Sequence, residues 1–375
     1  MLLAGVTLES TAYQQFTSVL NVPSHEALPM LTQTIQNAAE DSGESVTVTQ
    51  SNGIWTQGPI HESYIATLKE VHSATAQSLS SMRTYDPINE YVSNATNNLI
   101  NNVFAPATPI DPLVRAILVN AIHLKGKWKY PFDKSNTRNG QFVNHKGESK
   151  SCQFMSMTRS MFVETEVEEL GNATILQLDY GMEEENIKDK KEAKNPFFGQ
   201  ENNAKAPFRA LFLLPSDDQP SSMAALMSNL TLTLSTNSSS NTLHSLLPPE
   251  SQKVHLLLPK FKVKYGTKSL TTPLQSMGLT APFASNITHP PFDRLSPDPQ
   301  VYLSDVLHQA TLEVNEEGTE AAAVTVGVIK TRCMPRPPLE VVFDRPFIMM
   351  VIHVDEETGV GTPLFLGKMM DPVFT

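Results

Sequence analysis

The stretch VVFDRPFIMMV, Val341–Val351, followed closely by TPLFLGKMMDP, Thr362–Pro372, decides the fold. Both segments have the character of buried strands, since they are short apolar runs bounded by glycine, proline or acidic residues. The intervening Glu356–Gly359 predicts a hairpin turn. Methionines within these runs are interpreted as core filling; they are Met349, Met350, Met369 and Met370.

The composition describes an acidic globular protein. Of the 375 residues, 40% are hydrophobic and 18% are charged, which allows a sizeable core. The formal net charge of −11 argues against a nucleic acid or an anionic membrane as partner. No apolar run approaches the roughly 18–20 residues that span a bilayer, and MLLAGVTLES lacks the basic region of a secretory signal. Cys152 and Cys333, which lie far apart, are expected to be free thiols.

Periodicity predicts a first half of mixed helices and strands and a second half dominated by strands. The predicted helices are Leu8–Leu20, Glu26–Ala39, Glu62–Val71 and Pro87–Phe104. The predicted strands are Ser45–Gln57, Arg115–Leu124, Gln141–Phe142, Ala173–Asp179, Arg209–Leu214, Val254–Val263, Val301–Val314, Glu340–Val354 and Leu364–Met369. Glu183–Pro207 is predicted to be a solvated insertion, and Ser228–Asn241 and Ala281–Pro299 to be loops. With no linker between these segments, residues 1–375 are expected to form one α+β domain.

Motifs for enzyme chemistry are missing from the sequence. It contains no GxSxG elbow, no phosphate-binding GxxxxGK[ST] loop, no HExxH and no CxxC. The ten histidines are scattered, and none has metal-ligand spacing to another histidine or a cysteine. We therefore expect no catalytic residues, no metal and no cofactor. Asn120 and His308 occupy otherwise apolar strands, where the ordinary interpretation is a hydrogen-bonded buried group.

The decamer EEGTEAAAVT, Glu316–Thr325, is the least ordinary segment. Side chains at alternate positions of its second part are small, and a strand presents alternate residues to one face. Such a segment could enter a packed sheet without clashes. Alanine is also the best helix former, so a short surface helix remains open for the same residues.

The whole chain resembles the serpins, the family of serine protease inhibitors. The closing strands quoted above match that family's signature, and further matching segments occur in the right order. These are INEYVSNAT (Ile88–Thr96), LVNAIHLKGKWKYPFD (Leu118–Asp133), LLLPKFKV (Leu256–Val263) and LSDVLHQATLEVNEEGTEAAA (Leu303–Ala323). The resemblance implies a large mixed main sheet, two further sheets, about seven to nine helices and an exposed reactive-centre loop at residues 316–338.

Functional residues follow from the resemblance, position by position. The family's hinge matches Glu316, Glu317, Gly318, Thr319, Glu320, Ala321, Ala322, Ala323, Val324 and Thr325. The family's usual spacing then places the scissile bond between Arg332 and Cys333, with Arg336 as the alternative. The polar positions beneath the sheet opening match Asn120 and His308, and the region where insertion starts matches Trp128, Lys260 and Glu316. A Lys260–Glu316 ion pair is one hypothesis, and a redox-sensitive Cys333 thiol is another.

The expected activity is covalent trapping of a trypsin-like serine protease by a monomeric suicide substrate. A non-inhibitory serpin acting as a binding or chaperone-like module is the alternative, although the hinge lacks the bulky residues usual in such members. Heparin is not expected as a partner, because Glu26–Ala39, which matches the usual heparin helix, contains no Lys or Arg. Residues 1–20 resemble the family's third helix, so roughly 50 family residues are expected to be missing before Met1, and an inactive truncated serpin is a further possibility. Family habit favours the extracellular space, with an intracellular location as the alternative.

Overall fold

The computed structural model describes residues 6, 10–22, 46–181, 207–236, 243, 246–285, 291–318, 337–355 and 361–372. Four sequence predictions lie outside them: the helix Glu26–Ala39, nearly all of the insertion Glu183–Pro207, the hairpin turn Glu356–Gly359, and the hinge and loop from Thr319 to Arg336.

Five α-helices occur in the described part of the chain. They are α1 (Thr11–Val19), α2 (Glu62–His72), α3 (Asp86–Ala95), α4 (Pro220–Thr236) and α5 (Thr271–Ser276). The Ser10 side chain caps α1 by accepting a hydrogen bond from the Tyr13 backbone N–H at 3.1 Å. Helix α3 begins at Asp86, one residue before the predicted Pro87, and ends at Ala95, before the predicted Phe104. No helix among these residues is long and apolar enough to cross a membrane.

Helix α4 corrects the first part of the predicted loop Ser228–Asn241, because residues 228–236 are helical. Its apolar side chains Leu226 and Leu230 are buried in a core cluster, which stabilises the helix despite its serine and threonine content. The hydroxyls of Thr231 and Thr233 donate to backbone carbonyls four residues earlier, at 2.8 and 2.9 Å. A segment that is polar in composition can therefore be helical, because these hydroxyls find partners within the helix itself.

Thirteen strands are described. They are β1 (Val46–Thr56), β2 (Thr75–Ser78), β3 (Ala116–Gly126), β4 (Arg138–Val143), β5 (Ser149–Val167), β6 (Ala173–Asp179), β7 (Phe208–Leu214), β8 (Ser251–Pro259), β9 (Phe261–Ser269), β10 (Leu303–Val314), β11 (Leu339–Val342), β12 (Phe347–Val354) and β13 (Gly361–Met369). Two predicted strands are each divided in the structure: Val254–Val263 breaks at Lys260, and Glu340–Val354 breaks between β11 and β12.

The chain forms two compact units. Unit 1 comprises Met1–Ala39, Val48–Leu124 and Val263–Leu312, and unit 2 comprises Glu40–Thr47, Lys125–Lys262 and Glu313–Thr375. The prediction of a single domain stays a prediction.

Unit 1 is built on the five-stranded sheet, with the order β2-β1-β3-β10-β9. Strands β3 and β10 are neighbours and parallel, paired from Ala116↔Leu303 to Leu124↔Leu312. One face of the sheet packs Ile117 and Val119 against Ile88 and Val92 of α3. Since strand side chains alternate between faces, Asn120 and the residues at its level lie on the other face.

Unit 2 contains the eight-stranded sheet, with the order β11-β8-β5-β6-β7-β12-β13 and β4 paired to β5. The long strand β5 pairs with β4 and β8 along its first part and with β6 along its last part. Strand β12 is buried along its whole length. Three of the four methionines predicted for the core, Met349, Met350 and Met369, are buried.

Candidate functional site

A tight turn ends β10 at Asn315–Gly318 and forms the centre of the first site. The Asn315 backbone N–H donates to the Gly318 carbonyl at 3.0 Å, and the Gly318 N–H donates back at 3.3 Å. The Glu317 N–H donates to the Asn315 side-chain oxygen at 3.0 Å. These bonds reverse the direction of the chain immediately after the strand.

The turn is joined by backbone bonds to the segment that follows β3. The Trp128 N–H donates to the Glu317 carbonyl at 3.0 Å, and the Phe132 N–H donates to the Glu316 carbonyl at 2.6 Å. Gly318 bridges Lys127 in antiparallel fashion. It has φ +110°, and a Cβ there would lie 2.1 Å from the Gly126 carbonyl oxygen, so only glycine fits.

The carboxylate of Glu316 is buried between two partner side chains. Lys260 Nζ lies 3.0 Å from one carboxylate oxygen, and the Thr137 hydroxyl donates to the other at 2.8 Å. The predicted Lys260–Glu316 ion pair is therefore present, with only 6% of the Glu316 side chain exposed. Lys260 occupies this position because the chain breaks between β8 and β9, where its backbone N–H donates to the Gln153 carbonyl at 2.8 Å.

The partners of Glu316 decide its protonation. Burial raises the pKa of the carboxyl group, but hydrogen bonds from Thr137, from its own backbone and from Lys260 together outweigh burial, so the pKa lies below its ordinary value. Glu316 is consequently held as an anion, and the ion pair is maintained under mildly acidic conditions.

Glu317 makes a second ion pair, with Lys134. The Lys134 side chain is 67% exposed while that of Glu317 is 8% exposed, so the pair connects the turn to the surface. The hydrogen bond and charge of Glu317 raise the pKa of Lys134. The second carboxylate oxygen of Glu317 is buried and has no hydrogen-bond partner among the described residues.

Trp128 packs beneath the turn. Its indole N–H donates to the Asn315 carbonyl at 3.0 Å. Its ring stacks on Tyr180, with centroids 4.4 Å apart and planes 16° from parallel. Because Trp128 is 3% exposed and bonded on both backbone and side chain, it fixes the position of the turn.

A second, separate site in unit 1 is a row of three polar side chains across β1, β3 and β10. His308 Nδ1 lies 2.7 Å from the Asn120 side-chain oxygen, and the Asn120 amide donates to the Asn52 side-chain oxygen at 2.6 Å. His308 and Asn120 are direct register partners. Burial lowers the pKa of His308, and the bond to Asn120 opposes this only in part. Burial in this row therefore favours the neutral imidazole.

The structure places Trp128, Lys260 and Glu316 around the Asn315–Gly318 turn and joins Asn120 to His308 in unit 1. Their predicted role in sheet opening stays a prediction. Sequence reasoning missed Thr137, Lys134 and Asn52. Only Asn52 carried any signal, as a polar residue in the strand-like segment before a glycine. The predicted insertion segment Thr319–Thr325 and the predicted reactive residues Arg332, Cys333 and Arg336 lie outside the described residues. Cys152 is a free thiol, and burial raises its pKa to about 11, so it is poorly reactive.

Comparison with known proteins identifies the family model that this chain matches. Residues 1–372 match the model described as Serpin (serine protease inhibitor). The chain is 29% identical over 305 residues to Serpin-ZXA of Oryza sativa subsp. japonica, covering 81% of this chain and 67% of that protein. It is 30% identical over 329 residues to Serpin B10 of Sorex araneus, covering 86% of this chain and 72% of that protein. The structure of Arabidopsis AtSerpin1 in its native stressed conformation superposes with a TM-score of 0.76 at 26% identity, covering 99% of this chain and 88% of that one.

Proposed function

Since the chain belongs to the serpin family of serine protease inhibitors, we propose that it traps a trypsin-like serine protease as a suicide substrate cleaved after Arg332. The observation that carries the proposal is the Asn315–Gly318 turn. It is held by two ion pairs and the Trp128 indole at the end of β10. It directly precedes a run of small residues in the sequence.

The first steps are ordinary serine protease chemistry. Arg332 offers a cation to an acidic specificity pocket, which defines the trypsin-like class of target. The protease serine oxygen attacks the Arg332 carbonyl carbon, the bond to the Cys333 nitrogen breaks, and that amine leaves with a proton. The product is an ester between the protease and the Arg332 carbonyl, with Cys333 at a new amino terminus.

Strand direction makes insertion possible after cleavage. Because β3 and β10 are parallel and the turn reverses the chain, a strand that starts at Gly318 and lies between them would be antiparallel to both. It could pair with each of them along its length. About fifteen residues at roughly 3.3 Å each would carry the ester-linked protease on the order of 50 Å. Insertion of the reactive loop into the main sheet is the strand-addition reaction by which serpins in general are known.

Insertion requires existing hydrogen bonds of the sheet to break. The ladder between β3 and β10 must open along its length, and the His308–Asn120 bond must break. New ladders on both sides of the inserted strand would replace the broken one. The small side chains of the inserting segment, at Thr319, Ala321, Ala323 and Thr325, would enter a packed sheet with little steric resistance.

The test is formation of an SDS-stable complex with trypsin. We expect a band at the summed mass of protein and protease, lost in Arg332→Gln and kept in the matched control Arg336→Gln. Thr319→Arg is expected to be cleaved at the same bond without a stable complex, because a charged side chain would slow insertion relative to hydrolysis.

Unchanged inhibition by Thr319→Arg would refute the insertion mechanism. Unchanged inhibition by Arg332→Gln, combined with loss of inhibition in Arg336→Gln, would place the scissile bond after Arg336. Cleavage of the unaltered protein with no complex would instead support a non-inhibitory serpin.

A further inference from the structure

A cavity of about 220 Å³ lies within unit 2, between the segment after β3 and strands β5 and β6. Its lining combines charged, amide and aromatic side chains from these three elements. The residues that matter are Trp128, Lys129, Tyr130, Arg159, Gln177 and Asp179. Nothing in the insertion mechanism uses this cavity.

Two cations face the cavity. The Arg159 guanidinium carbon lies 3.0 Å from the centroid of the Tyr130 ring, so the guanidinium is held against that face. Lys129 Nζ lies 5.8 Å from the same centroid. Lys129 forms no ion pair with an acidic residue of the described ranges, which leaves its charge available to a ligand.

The acidic residue of the lining is already engaged. The Asp179 carboxylate accepts a hydrogen bond from the Gln177 amide at 2.7 Å. It also acts on Arg209: burial lowers the pKa of that guanidinium, and the Asp179 charge opposes the lowering. With Asp179 offset by Arg209, the cavity has a net positive lining that favours an anion.

The remaining walls are apolar or neutral. Met157, Met161 and Leu178 line the same cavity as Trp128, whose ring stacks on Tyr180. A preformed cavity with an apolar wall and a few placed polar groups is the usual form of a small-molecule site. The volume fits one aromatic ring with one acidic group.

We propose that this cavity binds a small aromatic carboxylate, with the carboxylate on Lys129 and Arg159 and the ring against Trp128. The aromatic body would exploit the apolar wall, while the two cations would select an acid over a neutral or basic analogue. Charge-assisted hydrogen bonds to a carboxylate are the strong ones, so both cations contribute to affinity.

Trp128 provides a local reporter of binding. The protein has two tryptophans, and Trp55→Phe leaves Trp128 as the single fluorophore. Benzoate is the probe, with benzamide and benzylammonium as neutral and cationic analogues of the same shape. Calorimetric titration of the unaltered protein gives the same affinities without any tryptophan replacement, should Trp55→Phe fold poorly.

We expect saturable quenching by benzoate and at least about tenfold weaker binding of both analogues, the size of one lost charge-assisted hydrogen bond. Lys129→Gln and Arg159→Gln should each weaken benzoate binding by a similar factor. Lys146→Gln, which alters an exposed lysine in the turn after β4, should leave the benzoate affinity unchanged. Absence of saturable benzoate binding up to about 20 mM, or equal binding by Lys129→Gln and the unaltered protein, would overturn the proposal.

Discussion

Replacing Glu316 with glutamine tests whether its ion pair stabilises the folded protein. The substitution removes a charge from a side chain that is 6% exposed and takes the counterion from Lys260, itself 16% exposed. Loss of one partner of a buried pair costs about 3–5 kcal/mol. Glutamine can still accept from Thr137, and water can reach Lys260, so we expect a loss of about 2–3 kcal/mol.

Urea unfolding followed by fluorescence measures this loss. With a slope near 3 kcal/mol per M, the midpoint should fall by about 0.7–1 M. The matched control is Glu169→Gln, an exposed acid in unit 2, which should change stability by less than about 0.5 kcal/mol.

The stability of the unaltered protein and that of Glu316→Gln should also depend differently on pH. The folded state holds the pKa of Glu316 below its ordinary value of 4.5. Its stabilising contribution is therefore complete above that value and is lost as the pH falls through the folded-state pKa. The gap between unaltered protein and Glu316→Gln should narrow over that acidic range. A Glu316→Gln midpoint equal to that of Glu169→Gln, with no narrowing in acid, would refute this account of the turn.

Two further substitutions test the turn and the polar row. Gly318→Ala should lower stability by more than about 3 kcal/mol, measured by urea unfolding, because its Cβ would meet the Gly126 carbonyl oxygen at 2.1 Å. An alanine variant of ordinary stability would contradict this packing. Since burial holds the pKa of His308 below its ordinary 6.5, the protein should lose stability as the pH falls from above 6.5 through the folded-state value. His308→Gln should flatten that dependence, while the exposed-residue control His145→Gln should keep it.

Much of the fold could be predicted from local sequence. Strands β6, β7 and β12 are buried apolar runs of seven or eight residues. Periodicity alone does not separate such a run from a buried helix, but a run this short favours a strand. The nineteen-residue strand β5, Ser149–Val167, was not predicted. Its burial is irregular because it pairs with different strands along its length, so no single alternation runs through it. Helix α4 was not predicted because its serine and threonine residues are typical of a loop, although Leu226 and Leu230 are buried.

The site could be predicted only where residues carry the family pattern or stand out in their own segment. Lys260 and Glu316 matched that pattern, and His308 stood out in an apolar strand. Thr137 lies in the polar stretch KSNT, where a hydroxyl has no distinguishing feature. Its importance arises because β10 ends where the Glu316 carboxylate can reach it, across a separation of 179 residues.

Lys134 is another residue of the site that could not be predicted from its own segment of sequence. A lysine that is 67% exposed would ordinarily be assigned to solvent, and an exposed ion pair contributes little. Its partner Glu317 is different, because it is buried and its second oxygen lacks a partner among the described residues. Removing Lys134 would therefore leave a buried carboxylate without its ion-pair partner. The stabilising effect of this pair therefore depends on the buried Glu317. Glu317 is buried because it belongs to the Asn315–Gly318 turn, and nothing in the sequence around Lys134 indicates that turn.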